Sequence, residues 1–580
     1  MFRTSFVALV LLLTLPGVGF ADSHSESPAA RAAATISRPG LAAAIRFLAA
    51  DELEGRGPGS RGDRVTRAYL AAELEEAGLA PGGPNGSWEQ PFPIVGIESV
   101  APPTWRFSAA AGRPGAKTVE LRRSEDFVAA AGVQQAQTRL ADAELVFVGF
   151  GIQAPEFAWD DFKGADLKGK VLVILNNDPD WDDQLFAGKR RLYYGRWTYK
   201  YESAARQGAA GAILIHTTPS AAYPWQVVQS SWSGEQFELP ARPLAVEPRV
   251  QVTSWVTEES AARLVSLGGQ RLDVLVEAAK RRDFRPIPLG VRTSLTLENK
   301  IHQVETANVA GLLAGSDPQL TSEVVVYTAH HDHLGIAAPD AGGDAIYNGA
   351  VDNASGSAQI LEIARAFAAL DAGARPRRSV LFLFVAAEEQ GLLGSEHYAT
   401  HPTFPAGRIA TNINLDSANV YGRTKDITYV GYGKSTLDGV VERAAAAQGR
   451  VVRGDQAPEK GSFYRSDQFN FARVGVPAIY LDPGTEFLGS PPDAAADAGA
   501  RRAQQESYDS TCYHQPCDEI VDDWNYDGMI EDAQLAFAIG LEISNAGSMP
   551  TWKPGDEFEA ARLKAIAALA ASAGEPPAGR

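Results

Sequence analysis

From about residue 291 onward, short unbroken apolar runs alternate with longer stretches of helical period. "VRTSLTLEN" (291–299) alternates apolar and polar residues as a half-buried strand does. After it, apolar runs at 324–328, 379–386, 411–415, 427–431 and 476–481 read as strands. Between and after them, 355–369, 391–399, 436–448 and 529–544 read as helices. A strand apolar on both faces must be covered on both faces. Strands of this kind separated by helices therefore predict a mostly parallel central sheet flanked by helices, an α/β fold. In such sheets ligands bind beyond the carboxyl ends of the strands, so the residues at those ends carry the functional information.

The rest of the chain is organised differently. At 580 residues it is too long for one ordinary core, and two or three domains are expected. Residues 22–40 are polar and Ala-rich and predict a loose leader. Residues 41–80 predict two helices separated by a Gly/Pro break, and 81–140 an irregular, strand-rich stretch. "ELVFVGFG", "LKGKVLVILN" (167–176) and "YKYESAARQGAAGAILIH" (199–216) predict a separate, smaller α/β unit. Residues 217–285 carry less pattern. The Ala-rich tail from Gly555 could be a terminal helix or unstructured. No internal repeat is present.

A net charge of −18 argues against nucleic acid as a partner, since phosphates require Lys and Arg. The N-terminus combines Arg3, an apolar run from Phe6 to Leu15 and small residues near Ala21. That pattern predicts a cleavable secretory signal over 1–21 and a periplasmic or secreted protein. No later stretch has the ~18 apolar residues of a membrane span. The two cysteines, Cys512 and Cys517, are five positions apart. In an oxidising compartment they can form a disulfide closing a small loop, the alternative being two unrelated thiols.

The strand ends are rich in acids and histidines. "TAHHDHLG" (328–335) places His330, His331, Asp332 and His333 after the first buried strand. Asp352 and Asn353 stand in the loop that follows, Glu388 and Glu389 end "VLFLFVAAEE", Asp416 ends "ATNINLD", and His514 lies in "CYHQPCDE". Singly, each has an ordinary reading: a helix cap for Asp352, solvated acids for the glutamates, a structural His514. Together they do not, because carboxylates gathered at one sheet edge repel and resist burial without a cation. Two zinc ions would compensate three carboxylates, two neutral imidazoles and a bridging hydroxide. Histidine and carboxylate without thiolate is the donor chemistry of catalytic zinc.

These motifs resemble the co-catalytic di-zinc peptidases, a family that includes leucyl-type aminopeptidases, glutamate carboxypeptidases and the inactive transferrin receptor. "HHDHLG", "GAVDNASGSA", "AAEEQGLLGS", "NINLD", "FYRSDQFNFARVGVPAIYL" and "CYHQPCDE" occur in the family's order over about 300–545. Residues 144–216 resemble the protease-associated domain inserted in many such enzymes. The resemblance implies a zinc exopeptidase fold with these divisions: 22–135 an N-terminal part of the catalytic domain, 136–285 the inserted domain, 286–548 the di-zinc catalytic domain and 549–580 a tail.

Carried over by position, the resemblance implies His330, Asp352, Glu389, Asp416 and His514 as ligands of two zinc ions, with Asp352 bridging. It makes Asp332 the residue that orients His330, Glu388 the general base toward a metal-bridging water, and Tyr513 the stabiliser of the oxyanion. It matches Arg465 to a substrate-contacting arginine, with a structural surface arginine as the alternative. His331 and His333 receive no role. The implied activity is removal of N-terminal residues from peptides. A carboxypeptidase or dipeptidase of the same family, a single-zinc glutaminyl cyclase and a non-catalytic receptor remain as alternatives.

Overall fold

A computed structural model of the protein describes residues 27–110, 118–232, 234–241, 248–337 and 339–574. The expected signal segment lies outside the described residues. Among those described, no helix is long and apolar enough to cross a membrane.

The apolar runs pair as their composition requires. Strand Val324–His330 is buried along its whole length and lies at the centre. It runs parallel to Ser379–Val385 on one side and to Ile409–Leu415 on the other. Ala478–Asp482 continues the parallel set beyond Ile409–Leu415. Asp426–Val430 then pairs antiparallel, with Val451–Gly454 at its far side. Helices Gly356–Ala368 and Asp527–Asn545 pack their buried faces on this sheet, around Tyr327, Phe367, Phe382 and Phe537. Truncating one of these phenylalanines to Ala would cost about 3–5 kcal/mol.

Strand order reverses at Val324–His330. The chain leaves it through Gly356–Ala368 to Ser379–Val385 on one side, then returns to Ile409–Leu415 on the other. The carboxyl ends of these strands therefore open onto one crevice at a switch point, where side chains from several strands converge.

The alternation in "VRTSLTLEN" belongs to a 27-residue strand, Ile287–Leu313. Leu289, Val291, Leu295 and Leu297 point into a second core and alternate with more exposed residues. The same strand pairs with Gln137–Phe147 near its start, with Glu89–Val100 in its middle and with Ser379–Val385 at its end. It thus ties two cores together. The second core includes Phe147, Val173, Ile213 and Val256 from a small sheet in which Val171–Leu175, Gly211–His216 and Val252–Thr257 run parallel. Trp105, Phe107, Leu121 and Phe127 share this core, so it reaches further back than the boundary expected at 136.

One expectation is overturned. Residues 28–40 are not a loose leader, because Pro28–Ala33 and Arg38–Leu48 are helices, and Ala32 and Ile36 are buried in the main core. The capping serines, Ser27 and Ser37, each accept an N–H of the first turn ahead of a proline-containing start. At the other end, Glu559–Gly574 is a helix, held by Phe558 and Arg562 against the catalytic core.

Candidate metal centre

The crevice gathers the strand-end acids and histidines. Nε2 of His330 lies 3.1 Å from Oδ1 of Asp352 and 3.1 Å from Oδ1 of Asp416. Nε2 of His514 lies 3.1 Å from Oδ2 of Asp352 and 3.1 Å from Oε2 of Glu389. Asp352 therefore offers one oxygen to each of two donor sets, the first completed by His330 and Asp416, the second by His514 and Glu389. The positions of the donors follow from the chain's local structure. His330 is the last residue of its strand, Glu388 and Glu389 follow Val385, and Asp416 follows Leu415. Asp352 and Asn353 sit in an irregular turn ahead of helix Gly356–Ala368, and the peptide between them is cis.

Neighbouring groups fix these donors. The carboxylate of Asp332 accepts the backbone N–H of Glu388 at 3.1 Å and of Glu389 at 3.4 Å. It approaches Nδ1 of His330 at 3.9 Å, while the Asp332 carbonyl lies nearer, at 3.2 Å. Asp332 thus orients the acidic pair more directly than the histidine for which it was expected. Tyr480 donates its hydroxyl to the Asp416 carbonyl at 3.1 Å. Ser357 donates to the carbonyl of His330 at 3.0 Å.

Other supports carried no signal in the sequence. Arg56 is fully buried and donates to the carbonyls of Leu48, His331, Asn348 and Gly349, clamping the two loops that present His330 and Asp352. Burial pulls its guanidinium down to about 10, against the opposing charges of Asp332, Asp518, Asp352 and Glu389. His331 turns away from the crevice, as strand alternation requires, and its Nε2 lies 3.3 Å from Oδ1 of Asp63. Asp63 also accepts the N–H of Gly59 and Nε–H of Arg67, so His331 ties the crevice to helix Arg61–Glu76. His333 is buried, with Nδ1 2.6 Å from Oε1 of Glu389. It forms a third cluster of possible metal donors with Asp352 and Glu389. Asp518 stands in the quoted "CYHQPCDE" motif and was readable there as an acid, but its role was not.

Electrostatics separate the adjacent glutamates. Burial pushes the Glu388 carboxyl well above its ordinary value; His330 opposes this, and Asp416 and Glu389 add to it. For Glu389, burial is overcome by His514 and His333, and the carboxyl is held down to about 2. Two neighbouring acids driven apart in this way are suited to different tasks, one holding charge and one exchanging a proton. Burial lowers His330 and His514, yet the surrounding carboxylates hold both well above the ordinary imidazole value. The Nε2 atoms of both rings face the acids, where a metal ion would sit between them. Imidazole and carboxylate donors, in two sets sharing one carboxylate and without a thiolate, fit zinc.

Asp352, Glu388 and Asp416 line a cleft of about 160 Å³ with Ser462, Arg465, Ser466, Tyr480 and Tyr513. The Tyr513 ring stacks on His514 at 3.9 Å. Cys512 and Cys517 form a disulfide that closes the loop holding both residues. The Arg465 guanidinium lies 5.9 Å from the Tyr223 ring, which belongs to the 136–285 stretch.

Residues 308–538, which contain every one of these donors, match the model described as Peptidase family M28. The chain carries a peptidase family M28 domain. The chain is 26% identical over 252 residues to aminopeptidase YwaD of Bacillus subtilis, covering 41% of this chain and 50% of that protein. It is 31% identical over 291 residues to an aminopeptidase of Pseudomonas aeruginosa, covering 48% and 49%. The chain thus spans about half the length of the curated relatives it matches. Among solved structures, an aminopeptidase from Aneurinibacillus sp. strain AM-1 aligns over 90% of this chain and 97% of its own, at 18% identity and a TM-score of 0.48.

Proposed function

We propose that the protein is a zinc-dependent exopeptidase, secreted or periplasmic, that removes N-terminal residues from peptides. The observation that carries this reading is the position of Asp352, one oxygen against His330 and the other against His514, with Glu388 lining the same cleft. His330, Asp352 and Asp416 would hold one zinc ion, and His514, Asp352 and Glu389 the second. When bound, zinc would lower the pKa of a water in the cleft and polarise the scissile carbonyl.

The chain's own residues supply the remainder. Glu388, kept at a raised pKa by burial, accepts a proton from the attacking water and delivers it to the leaving amine. Asp332 holds the backbone of Glu388 and Glu389 so that one points to the substrate and the other to the metal. Tyr513, at the cleft wall, donates its hydroxyl to the oxygen on which charge develops. The acids of the cleft recognise the substrate's ammonium group. Two separate donor sets, rather than one, argue against a single-zinc cyclase.

The test is turnover of unblocked aminoacyl p-nitroanilides by the zinc-loaded protein. Hydrolysis that disappears with a chelator and returns with zinc supports the reading. No hydrolysis of any unblocked anilide or peptide by protein with both sites loaded overturns it.

A further inference from the structure

The match to the M28 family ends at residue 538, yet the chain beyond it reaches back to the cleft. Segment 551–558 lies along the turn that follows strand Asp426–Val430. There the N–H of Thr436 donates to the Thr551 carbonyl and the N–H of Lys553 to the Lys434 carbonyl, both at 2.9 Å. The Trp552 indole N–H donates to the Gly475 carbonyl at 3.0 Å. Trp552 and Phe558 are thereby buried with Val430, Phe463, Tyr464 and Phe469. Phe463 and Tyr464 belong to the short turn Ser462–Tyr464, and Ser462, Arg465 and Ser466, on and beside that turn, line the cleft. One side of the turn faces the cleft, and the other faces the C-terminal segment.

Two acids of that segment meet a buried lysine. Nζ of Lys434 lies 2.8 Å from Oδ2 of Asp556 and 2.9 Å from Oε1 of Glu557, and all three side chains are buried. The rings of Phe558, Phe463 and Trp552 stand around the ammonium at 5.0, 5.5 and 6.0 Å. Burial works to discharge Lys434, but Glu557 and Asp556 outweigh it and hold the ammonium above its ordinary value. Glu557 does more than pair with this charge. The same Oε1 accepts the hydroxyl of Tyr464 at 2.6 Å, and Oε2 accepts the backbone N–H of Tyr193 at 3.3 Å. One carboxylate thus joins the C-terminal segment, the Lys434 turn, the cleft-lining turn and the 136–285 stretch. Apolar packing alone lets a turn slide, whereas hydrogen bonds to a buried charge fix both distance and direction.

We infer that Glu557 is a positioning residue for substrate binding: through the Tyr464 hydroxyl it sets the place of the cleft wall formed by Ser462, Arg465 and Ser466. The inference rests on the peptidase reading above and adds to it a residue outside the matched domain. The zinc donors hang from different elements. These are the ends of strands Val324–His330, Ser379–Val385 and Ile409–Leu415, the turn at Asp352 and the loop that holds His514. Loss of the Glu557 contact should therefore loosen the wall while the metal donors and Glu388 stay in place. The kinetic signature is a raised KM at constant kcat. A contact that only stabilises the fold behaves in the opposite way: its loss lowers the amount of active enzyme, and so the apparent kcat, and leaves KM alone.

The experiment measures kcat, KM and zinc content of the full-length, zinc-loaded protein with leucyl p-nitroanilide. Tyr464→Phe removes one hydroxyl and leaves the Lys434 pairs intact. Its KM should rise about 3- to 10-fold, the scale of one hydrogen bond, with kcat and zinc content unchanged. Glu557→Ala also takes a partner from Lys434 and from the Tyr193 N–H, and should raise KM about 10- to 100-fold, as a displaced binding wall does. Glu557→Gln keeps the shape and an acceptor oxygen for Tyr464, and should recover part of that loss. An unchanged KM in Tyr464→Phe overturns the inference, as does a fall in kcat or zinc content at constant KM in either variant. If Glu557→Ala does not fold, Tyr464→Phe and Glu557→Gln decide alone. If the wild-type protein cleaves no unblocked anilide, the peptidase reading fails, and hydrogen exchange decides the link to the wall separately. Amides of 461–466 should exchange about 10-fold faster in Tyr464→Phe than in the wild type, while those of 324–330 keep their rates. Equal rates at 461–466 overturn the link.

Discussion

The carboxylate of Asp518 receives the backbone N–H of Asp352 at 3.1 Å, and that of Val351 at 2.9 Å. The residue positioned to bridge two metal ions is thus held from behind by a second acid, to which Tyr508 also donates at 3.1 Å. Asp518→Asn would turn one acceptor oxygen into an NH₂ group facing an N–H. Zinc affinity should fall about 10- to 100-fold, the usual cost of losing a ligand's supporting partner, although every donor atom remains. Competition with a chelator measures it, and an unchanged affinity would show that the Asp352 turn holds itself.

Glu388 and Glu389 should separate cleanly by mutation. Glu388→Gln removes the proton acceptor but no donor atom, so zinc content should stay and kcat should drop by about 10²–10⁴. Glu389→Gln should instead weaken zinc binding, because His514 and His333 both face that carboxylate. Metal analysis beside steady-state kinetics distinguishes the two. A Glu388→Gln protein with near-normal kcat would remove the residue from the mechanism.

The alternation of strands and helices was legible because each buried strand is apolar on both faces, and the elements expected between 324 and 544 lie within a few residues of those found, whereas Val451–Gly454, Gln468–Arg473 and the 18-residue helix Ala494–Thr511 were not expected. The convergence of His330, Glu389 and Asp416 was legible because strand ends in a parallel sheet share one edge; Asp352, in a turn, and His514, in a loop, were placed beside them by the family resemblance. What could not be read were contacts that depend on tertiary packing alone. Arg56 meets four carbonyls, of which those of His331, Asn348 and Gly349 are 275 or more positions away in sequence. Asp63 and His331 are 268 positions apart. The helix at 28–33 was hidden by an Ala-rich composition that looks like a linker until Ala32 and Ile36 are seen in the core.

Zinc binding should release protons at neutral pH. The surrounding carboxylates hold His330 and His514 well above the ordinary imidazole value, so both rings are charged in the metal-free protein at pH 7. A histidine must be neutral to bind a metal. Proton release should therefore accompany loading, and zinc affinity should fall as the pH is lowered. Calorimetry in two buffers of different ionisation enthalpy measures the protons released. Analysis of the loaded protein should approach two zinc ions per chain. A stoichiometry of one, with His330 and Asp416 uninvolved, would favour the cyclase.

The disulfide between Cys512 and Cys517 holds the short loop that presents Tyr513 and His514. Closing a loop this small restricts the unfolded chain by ~2 kcal/mol. Cys512→Ser/Cys517→Ser should lower Tm and weaken the zinc set that contains His514 more than the one that contains His330. Thiol titration of denatured, unreduced protein should find no free thiol. Two titratable thiols in protein isolated from an oxidising compartment would contradict the bridge.

The last prediction concerns the end of the substrate that is read at the metals. Asp352, Glu388 and Asp416 line the cleft together with Arg465. A free α-amino group is a cation at or near neutral pH and belongs beside the acids; a carboxylate belongs beside Arg465. A dipeptide with both ends free satisfies both, and its single peptide bond then falls between them. Acetylating the amine of Leu-Gly removes the cation and puts an uncharged group against three carboxylates, so turnover should be abolished. Amidating the carboxylate removes only the distal contact and should raise KM while leaving turnover measurable. If acetyl-Leu-Gly were instead the better substrate, Arg465 would be the primary clamp and the enzyme a carboxypeptidase, with the same zinc donors and the same Glu388.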